Sequence, residues 1–87
     1  MHESGLIADL IEKIRALAAE NSAVKVTAVQ VSIGALAGIG AEHFREHFVI
    51  ETQGTLAEGA DLRIKTSDDP LAPDSHSVLL QSVELEK

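Results

Sequence analysis

The chain has no cysteine, no tryptophan and no tyrosine, and its aromatic content is confined to Phe44 and Phe48. Without thiols there is no disulfide, no thiolate cage for zinc and no cysteine nucleophile. With two aromatic rings there is no platform on which successive bases could stack, and the core has to be aliphatic. Positive charge is also scarce: seven Lys and Arg stand against fourteen Asp and Glu, a net charge of −7. Such a surface repels phosphate backbones and anionic bilayers, so neither nucleic acid nor membrane is an expected partner. No run of about 18 apolar residues is present, as a membrane span would require. The first residues carry no basic cluster, and Glu3 and Asp9 interrupt the apolar run, so no signal peptide is expected and the expected compartment is cytoplasmic.

What is present is enough for one small domain, taken as residues 1–87: 45% of the residues are hydrophobic and 24% charged. Leu6, Ile7, Leu10, Ile11, Ile14, Leu17 and Ala18 recur at helical spacing, predicting a helix over Ser4–Ala19 with Ser4 as N-cap and Asn21-Ser22 as its end. Lys25–Gly34 alternates as a strand, with Val29, Val31 and Ile33 on one face and Ala28, Gln30 and Ser32 on the other. Three glycines between Gly34 and Gly40 mark a mobile or tightly bent connection. A second helix is predicted over Ala41–Thr52, with Phe44, Phe48 and Glu51 on one side and Gly54 as its C′ residue. Ala60–Thr66 alternates cleanly as a strand, residues 67–76 form a polar loop containing Pro70 and Pro73, and Ser77–Glu86 is the last strand, with Leu79, Val83 and Leu85 sharing a face. The order α-β-α-β-β predicts an α+β fold: two helices packed on one face of a three-stranded mixed sheet.

The amino terminus offers a chelate. The α-amine of Met1, the amide nitrogen of His2 and the imidazole Nδ1 of His2 close a five-membered and then a six-membered ring around one ion. All three nitrogens can lie in a plane, and Glu3 or a second histidine can supply a fourth donor. Nitrogen-rich planar sites favour Ni(II) or Cu(II) over Zn(II). The chelate requires that Met1 be retained, which the bulk of His2 favours. It also requires that the donors lose protons; an amine titrates near ~8 and an imidazole near ~6.5, so affinity falls on acidification. Against this stands the plain reading, in which a histidine after the initiator methionine has no role.

Other candidates are weighed the same way. His43 and His47 stand four apart on the second helix, share a face and could bind one metal, but the same spacing arises by chance on solvated helices. His76 reads as solvated. Asp68, Asp69 and Asp74 lack the length, glycine and final glutamate of a calcium loop and read as a turn. The serines sit in no nucleophile-elbow pattern, and there is no phosphate-binding Gly-x-x-x-x-Gly-Lys sequence, so no enzymatic activity is expected.

Four ordered segments carry a resemblance that spans nearly the whole chain. They are Met1-His2-Glu3 leading into Ser4–Ile11; Val26–Gly34 followed by Leu36-Ala37-Gly38; Gly54–Leu62; and Leu79–Glu86. Together they resemble the HypA/HybF nickel-insertion proteins. The resemblance implies a nickel-binding metallochaperone that delivers Ni(II) to the large subunit of [NiFe]-hydrogenase, and in some cases to urease, with a nickel-associated GTPase as partner. It implies that the metal ligands are Met1, His2 and Glu3. Two departures accompany it. Family members carry a zinc domain with two Cys-x-x-Cys pairs between the second and last strands, where this chain has only the loop 67–76, so a shortened form without zinc is expected. Some members also carry an acidic residue at the start of the second helix, where Gly40 stands here with Glu42 close by. The competing expectation is a non-metal interaction module that docks to the maturation machinery, and a more distant one is an enzyme subunit using His43 and His47.

Overall fold

The computed structural model describes the backbone from residue 3 to residue 87 and the side chains from residue 5 onward. The elements are α1 (Glu3–Glu20), β1 (Lys25–Ile33), α2 (Ala41–Glu51), β2 (Asp61–Thr66) and β3 (Val78–Glu86). They form the two helices and three-stranded mixed sheet that the hydrophobic pattern predicts. The sheet order is β2-β1-β3, so the first strand is central, parallel to β2 and antiparallel to β3.

The core is aliphatic apart from two rings. Ile7, Leu10, Ile11, Ile14 and Ala18 of α1 and Phe44 and Phe48 of α2 are buried with Val26, Val29, Val31 and Ile33 of β1, Leu62 of β2, and Ala57. The phenylalanines, four apart on α2, stack with ring centroids 6.3 Å apart. Burying side chains of this size removes about 1.5–3 kcal/mol of apolar hydration each, and the central strand is where most of that burial converges. The opposite face of the sheet is polar. Arg63 there donates to Asp61 at 3.0 Å and approaches Glu84 at 3.8 Å, next to Ala28, Gln30 and Ser82.

Several details depart from the periodicity. Helix α1 already runs through Ser4, which is therefore inside the helix and not its cap; the apolar stripe begins only at Leu6, so the first turn leaves no mark in the pattern. Glu51 is exposed, and Thr52 takes the buried place after Phe48, its hydroxyl donating to the Phe48 carbonyl at 2.8 Å. Thr52 is the C-cap of α2, so the left-handed glycine, Gly54 (φ +80°), falls one residue later than expected. In β3, Val78, Leu80, Val83 and Leu85 pack toward the core while Leu79 is 39% exposed. The cause is a bulge: Leu80 pairs with Val31 and Ser82 with Gln30, leaving Gln81 as the extra residue that reverses the alternation. A second irregularity falls at Thr27, between Val26 and Ala28 of β1, and lets both Val26 and Val29 reach the core.

Candidate functional site

The direction of the two helices decides which residues can meet. β1 and β2 are parallel, so α2, which connects them, returns along the sheet in the opposite sense to β1. Leu6, Asp9 and Leu10 of α1 share a shallow groove with Val78, the residue paired with Ile33 at the end of β1. Arg15 and Ala19 share another with Gly54, Thr55 and Leu56, and the Leu56 carbonyl accepts from the Val26 amide near the start of β1. Helix α1 therefore also runs against β1, and α1 and α2 begin at the same end of the molecule. That end also holds the 34–40 connection and the 67–77 loop.

These two loops are bound to each other through backbone. The Gly34 amide donates to the Ser77 carbonyl at 2.9 Å, the Leu36 amide to the Ser75 carbonyl at 2.6 Å, and the Ser67 amide to the Ile33 carbonyl at 3.0 Å. Gly34 lies so close to the carbonyls of Asp74 and Ser75 that a Cβ would collide with them. The glycine-rich connection is thus tightly bent rather than loose, and glycine is needed at position 34 for close approach. Asp69 turns the 67–77 loop by accepting from the Leu71 amide at 3.0 Å, an Asx turn that accounts for this aspartate without a cation. His76 is exposed, as a solvated side chain would be.

Of the predicted ligands, Met1 and His2 lie outside the described residues, and Glu3 opens α1 at this end. Gly40 is the N-cap of α2, in extended conformation with no side-chain hydrogen bond, and Glu42 sits in the first turn. On the next turns His43 and His47 bring their Nε2 atoms to 3.0 Å, with ring centroids 4.7 Å apart and planes tilted by 49°. Their neighbour Arg45 points elsewhere, donating to the Leu62 carbonyl of β2 at 2.9 Å. The charges flanking the histidines along the helix are accordingly Glu42 and Glu46. Among the described residues, no group of three or more His, Asp or Glu converges on one point. Nor does any helix have the length and apolarity to cross a membrane. Spacing alone suggested the histidine pair; the contact between its nitrogens is a structural finding.

Known proteins share this architecture and sequence. The family described as hydrogenase/urease nickel incorporation, metallochaperone, HypA matches residues 1–71. The hydrogenase maturation factor HypA of Acidithiobacillus ferrooxidans is 39% identical over 66 residues, covering 76% of this chain and 58% of that protein. The hydrogenase maturation factor HybF of Salmonella typhimurium is 39% identical over 64 residues, covering 74% and 57%. The chain thus spans less than two thirds of the length of these relatives. The solution structure of the Ni metallochaperone HypA from Helicobacter pylori superposes with a TM-score of 0.81 at 22% identity, covering 99% of this chain and 98% of that one, which shows a common fold. By sequence and by fold, this chain belongs to the HypA family.

Proposed function

We propose that this chain binds Ni(II) as cargo and passes it on during the maturation of a nickel enzyme, the large subunit of [NiFe]-hydrogenase or urease. The observation that carries this reading is the family match, which starts at the Met1-His2-Glu3 tripeptide, together with an α1 that begins at Glu3. The tripeptide leads without a linker into a helix whose first turn lies at the end where α2 also begins.

The chemistry follows from the donors. The Met1 amine and the His2 amide and Nδ1 hold the ion in two fused unstrained rings, and the Glu3 carboxylate is an exchangeable oxygen donor. A soft-to-borderline nitrogen set of this kind selects Ni(II) over harder ions, and copper competes with it by affinity. Release proceeds by ligand exchange: a recipient's donors displace the oxygen ligand first and the nitrogens afterwards. A cargo site must let go, and one made from a chain terminus gives up its ligands singly, whereas a four-thiolate cage is closed. The chain acts as a single nickel-binding domain in the cytoplasm, with loop 67–76 in place of a zinc domain, and a separate GTPase supplies nucleotide hydrolysis. No catalytic step is assigned to this chain.

The test is a Ni(II) titration of untagged protein, followed by the weak yellow absorption of low-spin Ni(II) and by calorimetry. His2→Ala is expected to weaken binding by about 100-fold, which is about 2.8 kcal/mol. Equal binding by the wild type and His2→Ala would dispose of the terminal site. A pull-down of the GTPase or hydrogenase subunit that is indifferent to both chelator and His2→Ala would favour the docking reading instead.

A further inference from the structure

We propose that His43 and His47 form a second nitrogen clip on α2, which holds one Ni(II) ion with both Nε2 atoms at the same end of the molecule as the start of α1. The proposal rests on the nickel-carrier reading for the identity of the ion, and on the geometry of α2 for the site.

Three observations support it. The first is the bite. Imidazole–metal bonds of about 2.0–2.1 Å meeting at about 90° place their nitrogens about 2.9 Å apart, and at the tetrahedral angle about 3.4 Å apart. The Nε2–Nε2 separation is 3.0 Å. The pair therefore fits adjacent positions of a square-planar or octahedral ion, the geometries of Ni(II), better than two corners of a zinc tetrahedron. The second is rigidity. Phe44 and Phe48, each next in sequence to one of the histidines, are buried at 0% and 2% exposure, so the helix face that carries the rings is fixed by the core beneath it. Preorganised ligands lose less entropy when they bind. The third is charge. Arg45, the cation between the two histidines, is turned toward the Leu62 carbonyl, and Glu42 and Glu46 adjoin the histidines along the helix.

Between the two rings one Nε2–H faces the other ring's Nε2. Metal binding requires that proton to leave, either to solvent or by a shift of tautomer to Nδ1, and the two rings to turn until both Nε2 lone pairs converge on the ion. With two protein ligands the site is weaker than a three-nitrogen terminal chelate and exchanges faster, as a first landing place for the ion should.

The experiment separates the two sites by working in the His2→Ala background, where the terminal chelate is absent. Ni(II) alone is titrated into His2→Ala, His2→Ala/His43→Ala and His2→Ala/His47→Gln. Calorimetry reads stoichiometry, and paramagnetic broadening of backbone amide resonances reads location. His43 is exposed and His47 only partly buried, so both replacements leave the core intact; circular dichroism verifies this. The expected result is one residual equivalent in His2→Ala, with broadening centred on residues 42–48, weakened at least tenfold by either further substitution. Three results would overturn the clip: no residual binding in His2→Ala, residual binding that both further substitutions leave unchanged, or broadening centred elsewhere. Failure of the terminal-site reading looks different, because it appears as equal affinity of the wild type and His2→Ala whatever the α2 variants do.

Discussion

The two ends of the helix layer are built differently. At the far end, where both helices finish, each helix is stopped locally, and the Val26 amide of β1 ties in the turn after α2 by donating to the Leu56 carbonyl at 2.9 Å. Helix α1 stops in a Schellman turn: the Ala23 amide donates to the Ala18 carbonyl at 2.9 Å and the Ser22 amide to the Ala19 carbonyl at 3.1 Å, with Ser22 at φ +53°. Helix α2 stops on Thr52, and Glu58 accepts from the Gly54 amide at 2.6 Å. At the near end, where both helices start, α2 has a glycine N-cap without a side-chain bond, and order comes from one loop lying against another through backbone. Helix N-termini left without side-chain caps keep their amides and the space around them accessible. The far end therefore serves the fold. The near end holds Glu3 at the start of α1 and the histidine pair, and it is stabilised by contacts between loops that leave the α2 N-cap without a side-chain bond.

If this division is right, changes at the two ends separate binding from stability. The largest expected effect comes from adding two residues before Met1: nickel affinity falls about 100-fold, or about 2.8 kcal/mol, while the thermal midpoint does not move. A parallel fall in melting temperature would show that the near end is also a stability element of the terminus. Next is Gly34→Ala, which forces the backbone of Asp74 and Ser75 to shift. It should cost about 1–3 kcal/mol, read as a drop of about 5–20 °C in Tm; a neutral result would mean the two loops are not held together. At the far end, Thr52→Val removes the hydroxyl donor and keeps the volume. It should cost about 1 kcal/mol in a urea melt and leave nickel binding untouched. The smallest effect is a gain: Ser22→Gly relieves a left-handed residue and should raise stability by about 0.5–1 kcal/mol, again with unchanged nickel affinity. Loss of stability in that variant would contradict the turn described for α1.

How much of this was legible beforehand depends on whether the information is periodic. The helices, β1 and β2 are repetitive, and their core residues could be read to within a residue or two from spacing. In the last strand Val83 and Leu85 could be read in the same way, but Leu79 could not, because Gln81 inserts one residue and carries Leu79 to the other face; no property of glutamine announces a bulge. Glu51 and Thr52 show the same limit, since either could follow Phe48 on a helical face, and the choice falls to the residue whose hydroxyl can be satisfied when buried. From the sequence, the loop 67–76 reads as a passive polar stretch. Its role in gripping Gly34 depends on backbone carbonyls, which sequence does not encode residue by residue. The terminal chelate is an expectation from bond counting at Met1-His2 and from the family resemblance, and residues 1 and 2 lie outside the described structure. The His43–His47 spacing was visible as a pattern, but the approach of the ring nitrogens depends on rotamers. The shared end of α1 and α2 depends on the parallel pairing of β1 with β2.

The extra residue in β3 has a consequence for how copies of the chain behave in crowded solution. β3 is an outer strand of the described sheet, with β1 on one side and no partner strand among the described residues on the other. A continuous row of unpaired amides and carbonyls on an outer strand is a template on which a second chain can polymerise edge to edge. The kink at Gln81 cuts the row into two short runs out of phase, so an incoming strand in register with one half is out of register with the other. On this side of the sheet the irregular residue thus works against edge-to-edge growth.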